Sequence, residues 1–469
     1  MTESTDLTKA LVAAIATVPA RLTDLSQARA QTALIDTIAC MIAGRDDPAT
    51  QAARQAALVE EPYGAATLLG DRQRRPAGIA AFVNGTAAHA LDYDDNFFPA
   101  ITHASAVLFP ALLALAETQN QSWGAVIAAY AAGLEAQALL GLIANPDHYG
   151  RGWHATSTLG VIGAAVACAT LMGATAEELA ATISITTSFA SGSKRQFGSA
   201  MKPVHAGLAA QNGIFAAQLA RAGIAGAPEM LTGRWGFLDL FHGEASAAAL
   251  PPPTGPLALD TYGLTQKLYP SCMSSHLGID ALLAAQKQAD VPLREIAAVE
   301  IGLPTFMIDN LCFLNPRDAL EARFSMTYCA AVTLRDGAPR LVHFTDAAVA
   351  DPELIAFAQK VRLAVRAPSA VAQALPWQGD GSARLVLSDG REVSATIAYP
   401  KGSSGNPLTA AELYRKFRDC TAPTLGPTQA EILFARLHTL APTDPITALT
   451  PFLVSPNPLG APYAVAHSR

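Results

Sequence analysis

Four basic residues, His103, His154, Lys202 and His276, stand at or just before predicted helix starts. His103 follows Thr102 and precedes an apolar run that begins at Ser105. His154 sits in Gly152-Trp153-His154-Ala155-Thr156-Ser157-Thr158, where Ser157 or Thr158 suits an N-cap. Lys202 precedes Pro203, a residue suited to the first helical position. His276 closes the run Tyr269-Pro270-Ser271-Cys272-Met273-Ser274-Ser275-His276. A helix N-terminus already presents free N–H groups and a positive dipole end, so it favours an anion. A cation placed there is unfavourable until something negative binds. Taken singly, a His before a helix reads as a packed or solvated side chain. Four such placements in a chain of net charge −7 point to a site for a polycarboxylate or phosphate. Charge-assisted hydrogen bonds of roughly 1.5–3 kcal/mol each suffice to hold such an anion. Lys194-Arg195 and Lys267 would add to the positive field, although a solvated surface position is the simpler expectation for each.

The acidic run Asp92-Tyr93-Asp94-Asp95 follows Ala87-Ala88-His89-Ala90-Leu91, so its carboxylates fall at a helix C-terminus, where the dipole opposes them. A divalent-metal motif of the terpene-synthase kind would need a further Asp and a second motif downstream, and neither is present. No metal is therefore expected. Orienting a catalytic histidine is the better chemistry for this run, centred on Asp92. Plain loop polarity is the simpler expectation for Asp94 and Asp95. Tyr328 shares a helical face with Leu320, Phe324 and Val332, and on spacing alone it reads as a core tyrosine. Glu135, in an apolar helix, asks for a buried ion pair. The sequence has no G-x-G-x-x-G and no G-x-x-x-x-G-K-S/T, which leaves a nucleotide cofactor unsupported. It also lacks a G-x-S-x-G elbow, an H-E-x-x-H and an iron–sulfur cysteine spacing. What remains is acid–base chemistry on an anionic substrate, with neither metal nor cofactor.

The first half is Ala-rich and predicts helices over 7–18, 26–43, 77–91, 105–117, 122–140, 158–172, 176–189 and 204–222. Several are apolar nearly all round, which marks helices buried in a large bundle. Pro251-Pro252-Pro253-Thr254-Gly255-Pro256 breaks the pattern. Strands are then predicted over 295–303, 361–367, 383–387 and 392–399, with Asp389-Gly390 as a hairpin turn between the last two. Helices over 273–288 and 318–334 fall between the strands. Helices return over 409–420 and 429–440, after Lys401-Gly402-Ser403-Ser404-Gly405. The expected architecture is mainly α. An all-helical domain spans 1–264 and is completed by 401–445, a smaller α+β domain spans 265–400, and a loosely held tail spans 446–469.

Composition narrows the functional classes. The 469 residues are 51% hydrophobic and only 15% charged, with mean hydropathy +0.24, so a large core is expected. Thirty-two Lys+Arg against 39 Asp+Glu argue against a partner that is nucleic acid or an anionic membrane. The longest uncharged run, Gly152 to Ala176, carries His, Thr, Ser and Gly residues that suit a packed interior helix rather than a membrane span. The N-terminus shows no secretory pattern, and the six cysteines form no C-x-x-C pair. A soluble, cytoplasmic protein with reduced cysteines is expected.

The runs HALDYDD (89–95), THASAVLFPALLALAE (102–117), GWHATSTLGVIGAA (152–165), MKPVHAGLAAQNG (201–213), LYPSCMSSH (268–276), RFSMTYCAAVTLRDG (323–337) and KGSSGNPLTAAELYRKFRD (401–419) resemble the MmgE/PrpD family. The likeness runs in order over about residues 5 to 440. Members include 2-methylcitrate dehydratase, cis-aconitate decarboxylase and iminodisuccinate epimerase. The resemblance implies a large helical domain with a smaller α+β lid, a homodimer, and a metal-free site between the domains. The active-site set of the decarboxylase falls on Asp92, His103, His154, Lys202, His276 and Tyr328. It implies catalytic roles for His103, His154, Tyr328 and Asp92, and binding of substrate carboxylates by Lys202 and His276. The chain carries Ala104 where many members have Pro. The 152–158 and 201–207 runs look as close to iminodisuccinate epimerase, while Tyr328 is more decarboxylase-like. The expected activity is a metal-independent lyase acting on a citrate- or aconitate-like polycarboxylate. The alternatives are an epimerase of a dicarboxylate and a non-catalytic carboxylate-binding protein on the same scaffold.

Overall fold

Alanine-rich segments with few large polar residues form helices that can be buried on nearly every side. The computed structural model describes residues 6–60, 63–71, 73–241, 254–366 and 379–454. Its first unit is built from the long helices Asp24–Gly44, Ala77–His89, Ala104–Gln119, Trp123–Ala144, Ala155–Leu171, Ala176–Thr187 and Met201–Arg221. In Ala155–Leu171 every residue except Thr170 is buried, as expected for a packed interior helix. Among the described residues, Trp123–Ala144 is the helix long and apolar enough to cross a membrane. Of its apolar window, 83% is buried inside the fold, so it too serves as a core helix. Glu135, midway along it, pairs with Arg21 at 3.0 Å, the buried ion pair its position called for.

Small residues bring the helices that carry the site close together. A Cβ on Gly207 would lie 2.2 Å from the Phe82 carbonyl oxygen and 2.3 Å from Thr86 Oγ1. The backbones of Ala77–His89 and Met201–Arg221 therefore nearly touch. The first of these helices leads into the Asp92 loop and the second begins beside Lys202, so this crossing fixes the two relative to each other.

The chain leaves this unit near residue 265 and returns to it. Helices Ala410–Leu425 and Pro427–His438 pack back onto Asp24–Gly44, the former opened by a Thr409–Glu412 capping box. Ile446, Leu449 and Leu453 are buried in the same core. This corrects the expectation of a loose tail from 446: apolar residues anchor the segment to 453, and 455–469 lie outside the described residues.

A second hydrophobic core runs from Tyr269 to Leu387. It is organised by a four-stranded sheet in the order Val361–Val365, Ile296–Leu303, Gly381–Leu387, Glu392–Ile397. The first pair is parallel, with Val299 opposite Val361, and the other two pairs are antiparallel. Helix His276–Ala289 lies against the last two strands. The Asp389-Gly390 turn forms as expected, with Gly390 at φ +87° and Asp389 accepting from the Arg391 N–H at 3.0 Å. The helix expected over 318–334 divides into Ala319–Ala322 and Met326–Asp336, because Ser325 caps the second piece by accepting from the Tyr328 N–H at 3.2 Å. Ala367, expected to end a strand, and Pro251 to Pro253 lie outside the described residues.

Candidate active site

Helix Ala77–His89 ends and the chain turns through Asp92 at φ +50°, a left-handed conformation that Asp tolerates better than most residues. The turn carries Asp92, Asp94 and Asp95 inward, where each is at most 3% exposed. Three elements pin the loop from behind. Lys416 donates to the Tyr93 carbonyl at 2.8 Å and pairs with Asp36 at 2.5 Å. Arg323 donates to the Ala90 carbonyl at 3.0 Å, and the Tyr93 hydroxyl donates to the Leu268 carbonyl at 3.1 Å.

The three carboxylates have three different partners. Asp92 lies between two ammonium groups, Lys202 at 3.1 Å and Lys267, which also donates to the Asp92 carbonyl at 2.8 Å. Burial alone would push the Asp92 carboxyl up, but the two lysines override it and hold it well below the usual range. Asp94 lies between two imidazoles: His89 Nδ1 hydrogen-bonds it at 2.9 Å, and His103 Nδ1 sits 3.1 Å away. Burial opposes the Asp94 charge as well, and the two histidines keep its carboxyl well below the usual range. Asp95 accepts from the Ser105 N–H at 3.3 Å and from its hydroxyl at 2.5 Å, and so caps the Ala104–Gln119 helix. Burial and the neighbouring Asp36 push Asp95 up to about 8, so it is mostly neutral at pH 7.

These contacts overturn three expectations. Asp94 and Asp95 are not polar loop residues, since both are buried and bonded. Lys267 is not on the surface but fully buried, held by the charge of Asp92. The carboxylate nearest His103 is Asp94, while Asp92 stands 3.8 Å from His103 Nε2 and chiefly anchors the lysines.

His103 and His154 are themselves the N-cap residues of helices Ala104–Gln119 and Ala155–Leu171, and neither makes a side-chain cap bond. The second helix starts earlier than Ser157 because its early hydroxyls are used elsewhere. Thr156 Oγ1 accepts from the His103 N–H at 3.1 Å, and Thr158 Oγ1 is 2.7 Å from His148 Nε2. Lys202 is the second residue of Met201–Arg221, which starts ahead of Pro203; the missing N–H falls among the first four, which have no intrahelical partner anyway.

His103, His154 and Lys202 line one side of a cleft between the two units, with Cys272, Met273, Ser274, Met307 and Phe324 on the other. Burial pushes His103 down to about 3. Burial, Lys202 and His205 hold His154 well below its ordinary range, and its Nε2 has no hydrogen-bond partner. Burial also lowers Lys202, against the attraction of Asp92. The cleft thus holds neutral imidazoles that gain from an incoming negative charge.

Two residues implied by the family resemblance stand apart from this set. His276 is fully buried against the Tyr269 ring, 4.9 Å between centroids, and it does not line the cleft. Tyr328 donates its hydroxyl to the His343 carbonyl within the second core, where spacing alone placed it.

The structure adds residues that the sequence did not single out. His89 shares Asp94 with His103, and His205 Nδ1 lies 3.0 Å from His154 Nδ1. The available signal for His205 was its position three residues after Lys202, on the same helical face. By ligand type and mutual distance, His89, Asp92, Asp94 and His103 are able to surround a divalent cation. Two ammonium groups against Asp92 oppose that use, because a metal ion would sit within a few ångströms of both.

Residues 10–249 match the MmgE/PrpD N-terminal domain, and residues 269–439 match the MmgE/PrpD C-terminal domain. The chain belongs to the MmgE/PrpD family. The cleft of this family member opens where its two matched regions meet. Cis-aconitate decarboxylase of Homo sapiens is 27% identical over 449 residues, covering 93% of this chain and 92% of that protein. The Mus musculus cis-aconitate decarboxylase is 28% identical over 397 residues, covering 82% and 80%. That of Aspergillus terreus is 25% identical over 452 residues, covering 91% and 90%.

Proposed function

We propose that this MmgE/PrpD protein is a metal-independent lyase acting on an aconitate- or citrate-like polycarboxylate. The observation that carries the reading is the meeting of His103, His154 and Lys202 on one side of the cleft, backed by the ionised Asp92 and Asp94. Similarity to cis-aconitate decarboxylases over most of both chains supports the same chemistry.

The roles follow from position. Lys202 binds a substrate carboxylate and stabilises negative charge on the adjacent carbon as it develops. His103, held beside Asp94, and His154, with its free Nε2, carry protons. In a decarboxylation the electrons of the broken C–C bond remain on carbon and His154 supplies the proton. In a dehydration one imidazole takes the α-proton and the other protonates the departing hydroxyl. Lys202, held by Asp92 with Lys267 behind it, supplies the electrostatic stabilisation that a metal would otherwise give. His276 and Tyr328 reach substrate in this scheme only if the smaller unit shifts on binding. Six free cysteines fit a reducing cytoplasm.

Epimerisation of a dicarboxylate is the second reading, favoured by the presence of two neutral imidazoles in one cleft, which suffices to remove and return a proton. The purified chain, assayed on cis-aconitate, citrate, 2-methylcitrate and iminodisuccinate, separates the two. Release of CO₂ or water from one of the first three supports the lyase. Turnover of iminodisuccinate alone replaces it with the epimerase.

A further inference from the structure

The contact between His154 Nδ1 and His205 Nδ1, at 3.0 Å, is a constraint on chemistry as well as on packing. Two imidazole nitrogens at that distance need one to donate and the other to accept. If His205 carries the Nδ1 proton, neutral His154 must carry its own on Nε2, facing the cleft as an acid. If His154 donates at Nδ1, its Nε2 is bare and acts as a base. The two tautomers are thereby locked to each other.

The surroundings leave the pair free to exchange a proton. The titratable and charged groups facing His205 are His154 at the start of Ala155–Leu171, His89 at the end of Ala77–His89, and Lys202 on its own helix. None of these is a carboxylate, so among the described residues nothing fixes either ring as an imidazolium. Gly192 closes the other side: a Cβ there would stand 2.9 Å from Ser157 Oγ and 3.3 Å from His205 Cε1. His205 keeps 5% of its surface exposed against 1% for His154, so it is the member of the pair nearer to solvent.

We propose that His205 is a positioning residue that sets the tautomer of His154 and resupplies its proton. The idea rests on the proton-transfer role of His154 argued above. Loss of CO₂ from a carboxylate consumes one proton from solvent, and a closed cleft needs a route for it. In the proposed step the His154 Nε2–H bond breaks as the new C–H bond forms on the carbanion. The Nδ1 proton of His205 passes to His154 Nδ1, and His205 takes a replacement from water at its own Nε2. Charge and protons balance, and the turnover leaves His154 as the Nδ1–H and His205 as the Nε2–H tautomer. The pair resets once product has left, when water protonates His154 Nε2, the Nδ1 proton returns to His205 Nδ1, and His205 Nε2 releases its proton to water.

The test uses the full chain, labelled with ¹⁵N-histidine, as wild type and as His205→Phe and His205→Asn, with His154→Ala to assign the His154 nitrogens. Long-range proton–nitrogen spectra read the His154 tautomer without substrate, and kcat and KM are followed against pH on whichever polycarboxylate is turned over. The expected result is a changed His154 tautomer ratio in His205→Phe, a kcat at least tenfold lower, and KM within about threefold. His205→Asn, whose amide can still donate to Nδ1 but cannot relay a proton, is expected to keep the wild-type tautomer with an intermediate kcat. It also carries the test if the Phe variant does not fold. Unchanged His154 nitrogen signals in His205→Phe, or wild-type kcat in either variant, would overturn the proposal. If the wild type turns over none of the acids, the lyase reading fails, and the nitrogen spectra still decide the role of His205.

Discussion

At the level of single residues, His154 offers a buried, unpartnered Nε2 to the cleft, and Asp94 holds two imidazoles at once. Replacing His154 by Ala is expected to abolish turnover and leave the circular dichroism spectrum unchanged. Asp94→Asn removes the charge beside His89 and His103, and a kcat loss of about 10²–10⁴-fold is expected if acid–base positioning fails. The pH dependence of stability follows from the buried histidines. His103 and His276 sit near 3, and His148 and His205 near 4, against about 6.5 when unfolded. Below pH 6.5 the unfolded chain binds protons that the folded chain refuses, so stability falls as pH drops from about 6.5 towards 4. Asp95 has the opposite sign: its folded value near 8 makes its contribution largest below pH 3.8 and lost as pH rises towards 8. Four histidines outweigh one carboxyl, so the melting temperature is expected to fall between pH 7 and pH 5. A melting temperature that rises over that interval would contradict this arrangement of neutral histidines. Because a bound polyanion favours protonated imidazole, calorimetry in buffers of different ionisation enthalpy should show proton uptake on binding.

At the level of elements, the Lys416 tether and the Gly207 crossing both bear on the Asp92 loop from outside the site. Lys416 ties helix Ala410–Leu425 to both Asp36 and the Tyr93 carbonyl. Removing its charge alone strands a buried Asp36, so Lys416→Met should cost about 3–5 kcal/mol in denaturant unfolding. The double change Asp36→Leu with Lys416→Met should cost less than the single change, since no unpaired charge remains. The crossing at Gly207 acts on the same loop from the other side. Gly207→Ala forces the Ala77–His89 and Met201–Arg221 backbones apart, with a lower melting temperature and a lower kcat expected together. Equal activity and stability in that variant would show that the close approach does not position Lys202. The elements themselves were mostly legible, because Ala-rich apolar runs and the Asp-Gly turn carry strong local signals. The break at Ser325 was not legible, since it depends on one hydroxyl turning back to cap a helix rather than on hydrophobic period.

At the level of the whole molecule, the cleft exists because the chain builds a helical core, adds a sheet-based unit, and returns to finish the first. The cations at helix starts could be read from sequence because residue type and helix boundary together carry an electrostatic argument. The burial of Lys267 and the role of His89 could not, since they depend on which helices cross and on which carboxylate a distant side chain meets, and His205 carried only the weak signal of following Lys202 by three residues. Tyr328 shows the converse: spacing placed it in the core, and the resemblance supplied a role that this arrangement of the two units does not display. A homodimer, implied by the family resemblance, is expected from light scattering of the purified chain. The central claim is that cleft histidines control charge at a carbon beside a carboxylate, without metal. It is tested most directly by proton NMR of the chelator-treated protein with cis-aconitate in deuterated water, beside His154→Ala. The account predicts loss of CO₂, one deuterium on the product carbon that receives the proton, and no reaction in the variant. Activity that disappears with chelator, or persists in His154→Ala, would contradict it.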